Sequence, residues 1–251
     1  GHLAGGVVDL DQAGLAEGER DTDGHFTKNI AGGITERATN NDFKSTGPLI
    51  PYQHIRHFKI ATDNNIKLGR NHLTFNIGYQ QNRREEFGNP DDKQERSLFF
   101  DLRTITYTAQ FHVVENKGWK TSVGINGMLQ SNANKGIEQL VPDYHLFDFG
   151  IYAYLQKTIN RVTLSGGVRF DNRNISAGNL LDGAMIKGNG FKRSFSNGSG
   201  SVGLAAQLTD NLNLKFNIAR GFRAPSIPEL ASNGAHEGST RYEYGNTALK
   251  S

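Results

Sequence analysis

Between Leu212 and Ala219 apolar and polar side chains alternate without a break. Leu212, Leu214, Phe216 and Ile218 fall on one face of an extended chain, with Asn213, Lys215, Asn217 and Ala219 on the other, because successive side chains of a strand point to opposite sides. The same period recurs upstream. Leu73, Phe75, Ile77 and Tyr79 oppose Thr74, Asn76, Gln80 and Asn82 in a strand expected over His72 to Arg83. Trp119, Thr121, Val123, Ile125 and Leu129 oppose Lys120, Ser122, Asn126 and Gln130. Phe147, Phe149, Ile151, Ala153 and Leu155 run beside Asp148, Gly150, Tyr152, Tyr154 and Gln156, and Val162, Leu164, Val168 and Phe170 beside Thr163, Ser165, Arg169 and Asp171. Ser194 to Leu208 alternates cleanly only near its end, and His54 to Thr62 reads as a strand with mixed faces.

Ser97 to Val113 reads as one long strand whose parity switches. Leu98, Phe100 and Leu102 share one face, Ile105, Tyr107, Ala109, Phe111 and Val113 the other; a bulge near Arg103 and Thr104 would reconcile them, since one extra residue flips the faces. His25 to Glu36 is expected to be a poorly patterned strand, and Gly1 to Asn29 a solvated loop. Asp9, Asp11, Asp21 and Asp23 suggest calcium-loop spacing, but Ala13 and Arg20 stand where ligands belong.

Short turns at Asn64–Arg70, Glu115–Gly118, Thr158–Arg161 and Thr209–Asn211 alternate with long loops starting at Arg84, Ser131, Asn172 and Ala224. The period is one hairpin per ~45 residues, a repeat of architecture rather than of sequence. Dyad-patterned strands with short turns at one end and long loops at the other describe an outer-membrane barrel, where every backbone amide in lipid must be paired within a closed sheet. The expected fold is all-β: antiparallel transmembrane hairpins forming an incomplete barrel of about eight or nine strands. Lys120, Arg169 and Lys215 all lie on polar rows, as a wet interior requires; facing lipid at midplane each would cost about 2–4 kcal/mol. Trp119, just after a short turn, suits an aromatic girdle. A soluble β-propeller is the alternative, though its blades carry a recurring motif that is missing here.

Composition is consistent with this. Mean hydropathy is -0.55 and no run approaches the roughly 18 apolar residues of a spanning helix, yet a barrel strand turns only alternate residues to lipid. The chain has no cysteine, hence no disulfide or thiolate chemistry. Its charge of +3 is scattered rather than clustered, which gives no support to a nucleic-acid partner. No hydrolase elbow, phosphate loop or HExxH motif is present, and no enzyme activity is expected. His54 and His57 fall on opposite faces of a strand, so they form no ligand pair.

After Ile218 the chain reads Arg220, Gly221, Phe222, Arg223, Ala224, Pro225, Ser226, then Pro228, Glu229, Leu230, and later Gly245, Asn246 with Leu249 and Lys250. Pro225 and Pro228 stop the ladder, since proline donates no amide hydrogen. This succession resembles the late-barrel segment of TonB-dependent outer-membrane receptors, with Thr247 where that family usually has proline. The resemblance covers most of Tyr52 to Ser251. It implies an energy-coupled importer in the Gram-negative outer membrane, working through TonB and its inner-membrane complex on a bulky cargo such as a ferric siderophore, haem or another metal chelate. Residues 1–251 would then be an internal part of the barrel, with the plug domain outside this chain. A passive porin or surface adhesin barrel is the other reading.

The resemblance also points to the long loop after the strand as the binding surface. Arg223, His236, Arg241, Tyr242 and Tyr244 combine cationic and aromatic groups suited to a bulky anionic ligand. His236 would be an axial ligand only if the cargo is haem. No resident cofactor and no other metal site is expected.

Overall fold

The computed structural model describes residues 15–20, 22–30, 34–44, 51–89, 92–235 and 242–250. In chain order the elements are β1 (Leu15–Arg20), β2 (Phe26–Ile30), β3 (Ile34–Arg37), α1 (Asn40–Lys44), β4 (Tyr52–Leu68), β5 (Asn71–Phe87), β6 (Leu98–Asn116), β7 (Trp119–Asn134), β8 (Tyr144–Ile159), β9 (Val162–Ala177), β10 (Leu180–Asp182), β11 (Met185–Gly188), β12 (Phe191–Thr209), β13 (Leu212–Arg220), α2 (Ile227–Ala231), β14 (Asn233–Ala235) and β15 (Tyr242–Tyr244). Eight of these strands form one antiparallel sheet in the order β13-β12-β9-β8-β7-β6-β5-β4, a meander broken only by the small hairpin β10–β11. The stretch His25 to Glu36 proves to be two paired strands, β2 and β3, and β1 lies within the expected N-terminal loop. Asp9, Asp11 and Asp21 lie outside the described residues.

Each short connection has two residues, all at one end of the sheet. Lys117 and Gly118 both have positive φ, 49° and 79°, the mirror-image turn whose twist matches a hairpin. Asn160 (φ 51°) and Gly69 (φ 64°) serve the same purpose. The turn expected from Asn64 therefore comes later. Ile66 and Leu68 keep the parity of Phe58 and Ile60, and Asn64 stays in the ladder by donating its side-chain amide to the Phe75 carbonyl at 3.1 Å.

At the other end the strands outrun the alternation. β5 continues through Glu85 and Glu86 to Phe87, β7 to Asn134 and β9 to Ala177, so the loops expected from Arg84, Ser131 and Asn172 begin later, whereas β13 ends at Arg220 and the loop expected from Ala224 begins earlier. A backbone ladder needs partners, not alternation.

The bulge expected near Arg103 is not there: β5 and β6 pair without a shift from His72↔His112 to Glu86↔Leu98. The parity switch has another cause. Ile105 to Val113 keep to the apolar face, whereas Leu98, Phe100 and Leu102 lie on the polar face, where that face is no longer wet. There a core of Val141, Tyr144, Leu146, Ile175, Ala177, Phe195, Ile227 and Leu230 is built between the sheet and the long segments, with Phe100 and Leu102 against it.

Registers place the apolar rows on one face, for example Val113↔Thr121↔Leu155↔Gly166↔Val202↔Ile218. That face is uncovered; Ile218 is 64% exposed and Val168 67%. Trp119 closes it at the short-turn end. Lys157, which shares its face, swings its ammonium 5.0 Å from the indole centroid and donates to the Lys117 carbonyl at 2.6 Å, keeping its stem on apolar surface and its charge at the boundary.

Candidate functional site

Three successive polar-face positions of β9, Arg169, Asp171 and Arg173, carry the charge of the site. Arg169 Nε donates to both oxygens of Asp171 at 2.8 and 2.7 Å, and its Nη2 to Asn126 Oδ1 at 2.8 Å. Arg173 holds Asp148 by two parallel bonds, Nε to Oδ1 at 2.7 Å and Nη2 to Oδ2 at 2.6 Å, the bidentate geometry that suits guanidinium to carboxylate. Gly150 makes room for this cluster, because a Cβ there would collide with the Arg169 guanidinium.

The segment after β13 folds over the cluster. Arg173 Nη1 lies 3.5 Å from the Pro225 carbonyl oxygen, and Ile227 and Leu230 insert into the core. The short α2 starts where the motif Ser226-x-x-Glu229 closes a capping box: the Ser226 amide and hydroxyl donate to Glu229 Oε2 at 2.8 and 2.9 Å, satisfying donors that a helix start leaves unpaired. Arg223 donates to Glu229 Oε1 at 2.5 Å. The Ser226 backbone bond, the Arg223 bond and the Ser226 hydroxyl together lower the Glu229 carboxyl to about 2. Phe222, Arg223 and Ala224 join Arg169, Asp171 and Arg173 around an open cavity of about 720 Å³.

The two halves of the late motif, far apart in sequence, dock on each other. Asn246 N donates to the Glu229 carbonyl at 2.8 Å and Gly245 N to the Ser232 carbonyl at 2.7 Å. A Cβ on Gly245 would strike the Leu230–Ser232 backbone. Arg193 ties the end down through the carbonyls of Thr247 and, at 2.9 Å, Leu249.

The sequence-derived candidates separate. Arg223 lines the cavity over the polar face and is already bonded to Glu229. Tyr242 and Tyr244 lie on β15, paired with β14, and are 59% and 81% exposed. Tyr242 donates to Asn233 Oδ1 at 2.5 Å, and Tyr244 lines a second cavity of about 500 Å³ with Lys187 and Asn233. His236 and Arg241 lie outside the described residues. Asp148, Arg169 and Asp171 were legible as members of polar rows; Arg173 fell in the loop expected from Asn172, and it joins the charged ladder because β9 runs on to Ala177. Their junction with residues 222–225 was not legible.

Among the described residues no group of three or more His, Asp or Glu is placed to hold a metal ion. No helix among them is long and apolar enough to cross a membrane, which leaves a β-barrel untouched. No curated protein sequence matches the chain significantly. The FrpB iron transporter of Neisseria meningitidis, in its apoprotein form, is similar in structure with a TM-score of 0.57 and 15% identity, over 71% of this chain and 30% of that one. The ferric yersiniabactin uptake receptor FyuA of Yersinia pestis gives a TM-score of 0.49 and 13% identity, over 66% of this chain and 28% of that one. The chain thus spans about 30% of the length of the first of these receptors. The family described as TonB dependent receptor-like, beta-barrel matches residues 8–251. With its eight-stranded antiparallel sheet and one open apolar face, the chain belongs to this family of outer-membrane transport receptors, as part of the barrel.

Proposed function

We propose that the whole protein is an active importer in the Gram-negative outer membrane for a bulky, scarce nutrient, an iron complex such as a ferric siderophore or haem, or another metal chelate. Transport is energised through TonB and its inner-membrane complex, acting on a plug that residues 1–251 do not contribute. The observation that carries this reading is the family match over residues 8–251. Two others support it. FrpB, similar in fold, is an iron transporter. Residues 221–235 and 242–249 also fold inward over a charged polar wall and are anchored there by buried Leu230 and by Arg193, as suits a receptor that holds cargo at its mouth. In this reading the long loops are extracellular and the two-residue turns periplasmic.

Cargo is gripped by the segment from Arg223 to Tyr244. Tyr242 and Tyr244 offer exposed aromatic faces, with Arg223 and Arg241 for anionic groups and His236 as an iron ligand if the cargo is haem. The test is titration of the full receptor with haem and a panel of ferric siderophores. Replacing Arg241 and Tyr242 together by alanine weakens cargo binding while the barrel assembles normally, and His236→Ala adds a large loss only with haem. Unchanged affinity in the double variant overturns the loop assignment. Cargo entry that continues in cells lacking TonB favours the passive porin.

A further inference from the structure

An open groove lies not on the polar face but on the outward, apolar one, at its upper margin. Its volume is about 820 Å³. The registers explain its make-up. One rung of the sheet reads Ile105↔Leu129↔Phe147↔Asn174↔Ser194, and the next same-face rung toward the long loops reads Arg103↔Ser131↔His145↔Ser176↔Lys192. A floor that is apolar on β6, β7 and β8 and continues as Asn174 and Ser194 on β9 and β12 therefore meets a row of cations and hydroxyls. All these residues line the groove.

The charges around it are unbalanced. Of the acids on the same side, Asp101 is 2% exposed and already held by Lys135 Nζ at 2.5 Å and Gln81 Nε2 at 2.6 Å, as well as by Arg103 at 3.2 Å, and Asp143 accepts from Asn134 N at 2.7 Å and Nδ2 at 2.8 Å. Arg103, His145 and Lys192 are exposed. Lys192 and His145 make no ion pair with any described residue. Arg103 and Lys192 stand four strand spacings apart, roughly 19 Å, so anionic headgroups fit side by side along the row with chains on the floor below.

We propose that this groove docks phosphate-bearing lipid of the outer leaflet, the headgroup phosphates against Arg103 and Lys192 with hydrogen bonds from Ser131, His145 and Ser176, and the acyl chains over Ile105, Leu129 and Phe147. The inference rests on the apolar face meeting lipid. It goes beyond transport, because the bound lipid covers the strip at the long-loop end where that face changes from greasy to wet. A cation near a membrane surface contributes about 1 kcal/mol toward an anionic lipid, or about fivefold in association.

The test uses the full receptor in phosphatidylcholine vesicles carrying a trace of spin-labelled phosphatidic acid or spin-labelled phosphatidylcholine, and reads the relative association of the two lipids with the protein. Wild type is expected to prefer phosphatidic acid, Lys192→Gln to lower that preference about fivefold, and Lys192→Arg to restore it. Lys192→Gln breaks no ion pair with a described residue, so it tests the groove without the folding risk of Arg103→Gln. Lys215→Gln on the polar face serves as control and leaves the preference intact. Equal preference in wild type and Lys192→Gln overturns the proposal, as does full displacement of the labelled lipid by inorganic phosphate, which would mark a free-anion site. A nitroxide at Val168, well below the groove, tests the underlying reading separately: low oxygen accessibility there means that the face does not meet lipid at all.

Discussion

Arg173 and Asp148, on neighbouring strands of the polar face, share two parallel hydrogen bonds of 2.7 and 2.6 Å. Because the third nitrogen of Arg173 reaches toward the Pro225 carbonyl, this one pair joins the barrel wall to the segment that folds over it. Both side chains are half-buried, so solvent screens them only in part. Arg173→Ala and Asp148→Asn should each destabilise the closed segment by about 1–3 kcal/mol. The double variant should lose less than the sum. Hydrogen exchange of residues 222–235 in the full receptor reads the effect; additive losses would mean that the two residues act independently.

Leu230 has no exposed surface and packs with Ile175 and Phe195. Leu230→Ala should cost about 2–5 kcal/mol through lost burial and the cavity left behind. The cost falls on docking of α2, not on barrel closure, since the sheet ladders do not involve it. Limited proteolysis should cut within 222–250 while the strands stay intact. A variant as resistant as wild type would overturn the docking account.

Glu229 titrates with a sign that can be checked. Its carboxyl is lowered from 4.5 to about 2 in the folded chain, so its contribution to the α2 cap is fully present above 4.5 and fades as pH falls from there through about 2. The segment should remain docked in mild acid and loosen only at the low end. Glu229→Gln should remove this dependence and leave Arg223 without its anionic partner. Identical acid profiles for the two proteins would contradict the assignment.

Phe216 and Asn217 are adjacent residues on opposite faces of β13. Nitroxides placed at each in the full protein in bilayers should differ, Phe216 being accessible to oxygen and Asn217 to a polar relaxer. Equal accessibility would exclude a barrel wall at this strand.

β4 and β13 are the two free edges of the sheet, each paired on one side only. Residues 1–251 expressed alone should therefore aggregate, since unpaired amides and an open apolar face both recruit other chains. A monodisperse monomer with a cooperative melt in water would speak for a soluble fold.

The local alternation of residues such as Leu212–Ile218 and Phe147–Leu155 was enough to assign strands, faces and three of the four tight turns; the first turn starts at Gly69 rather than Asn64. Alternation is a local signal wherever one face meets lipid and the other water. Toward the long loops that contrast ends, and the sequence was read wrongly there: Glu85 and Glu86 continue a strand that charge alone described as loop, and Leu98, Phe100 and Leu102 change parity without a bulge. Only the tertiary structure decided those places, because what covers a face depends on segments far away in the chain. Pro225 comes to Arg173, Asn246 to Glu229, and Arg103 falls in line with Lys192 across five strands. No spacing rule along the sequence brings such residues together; the registers of the ladder do.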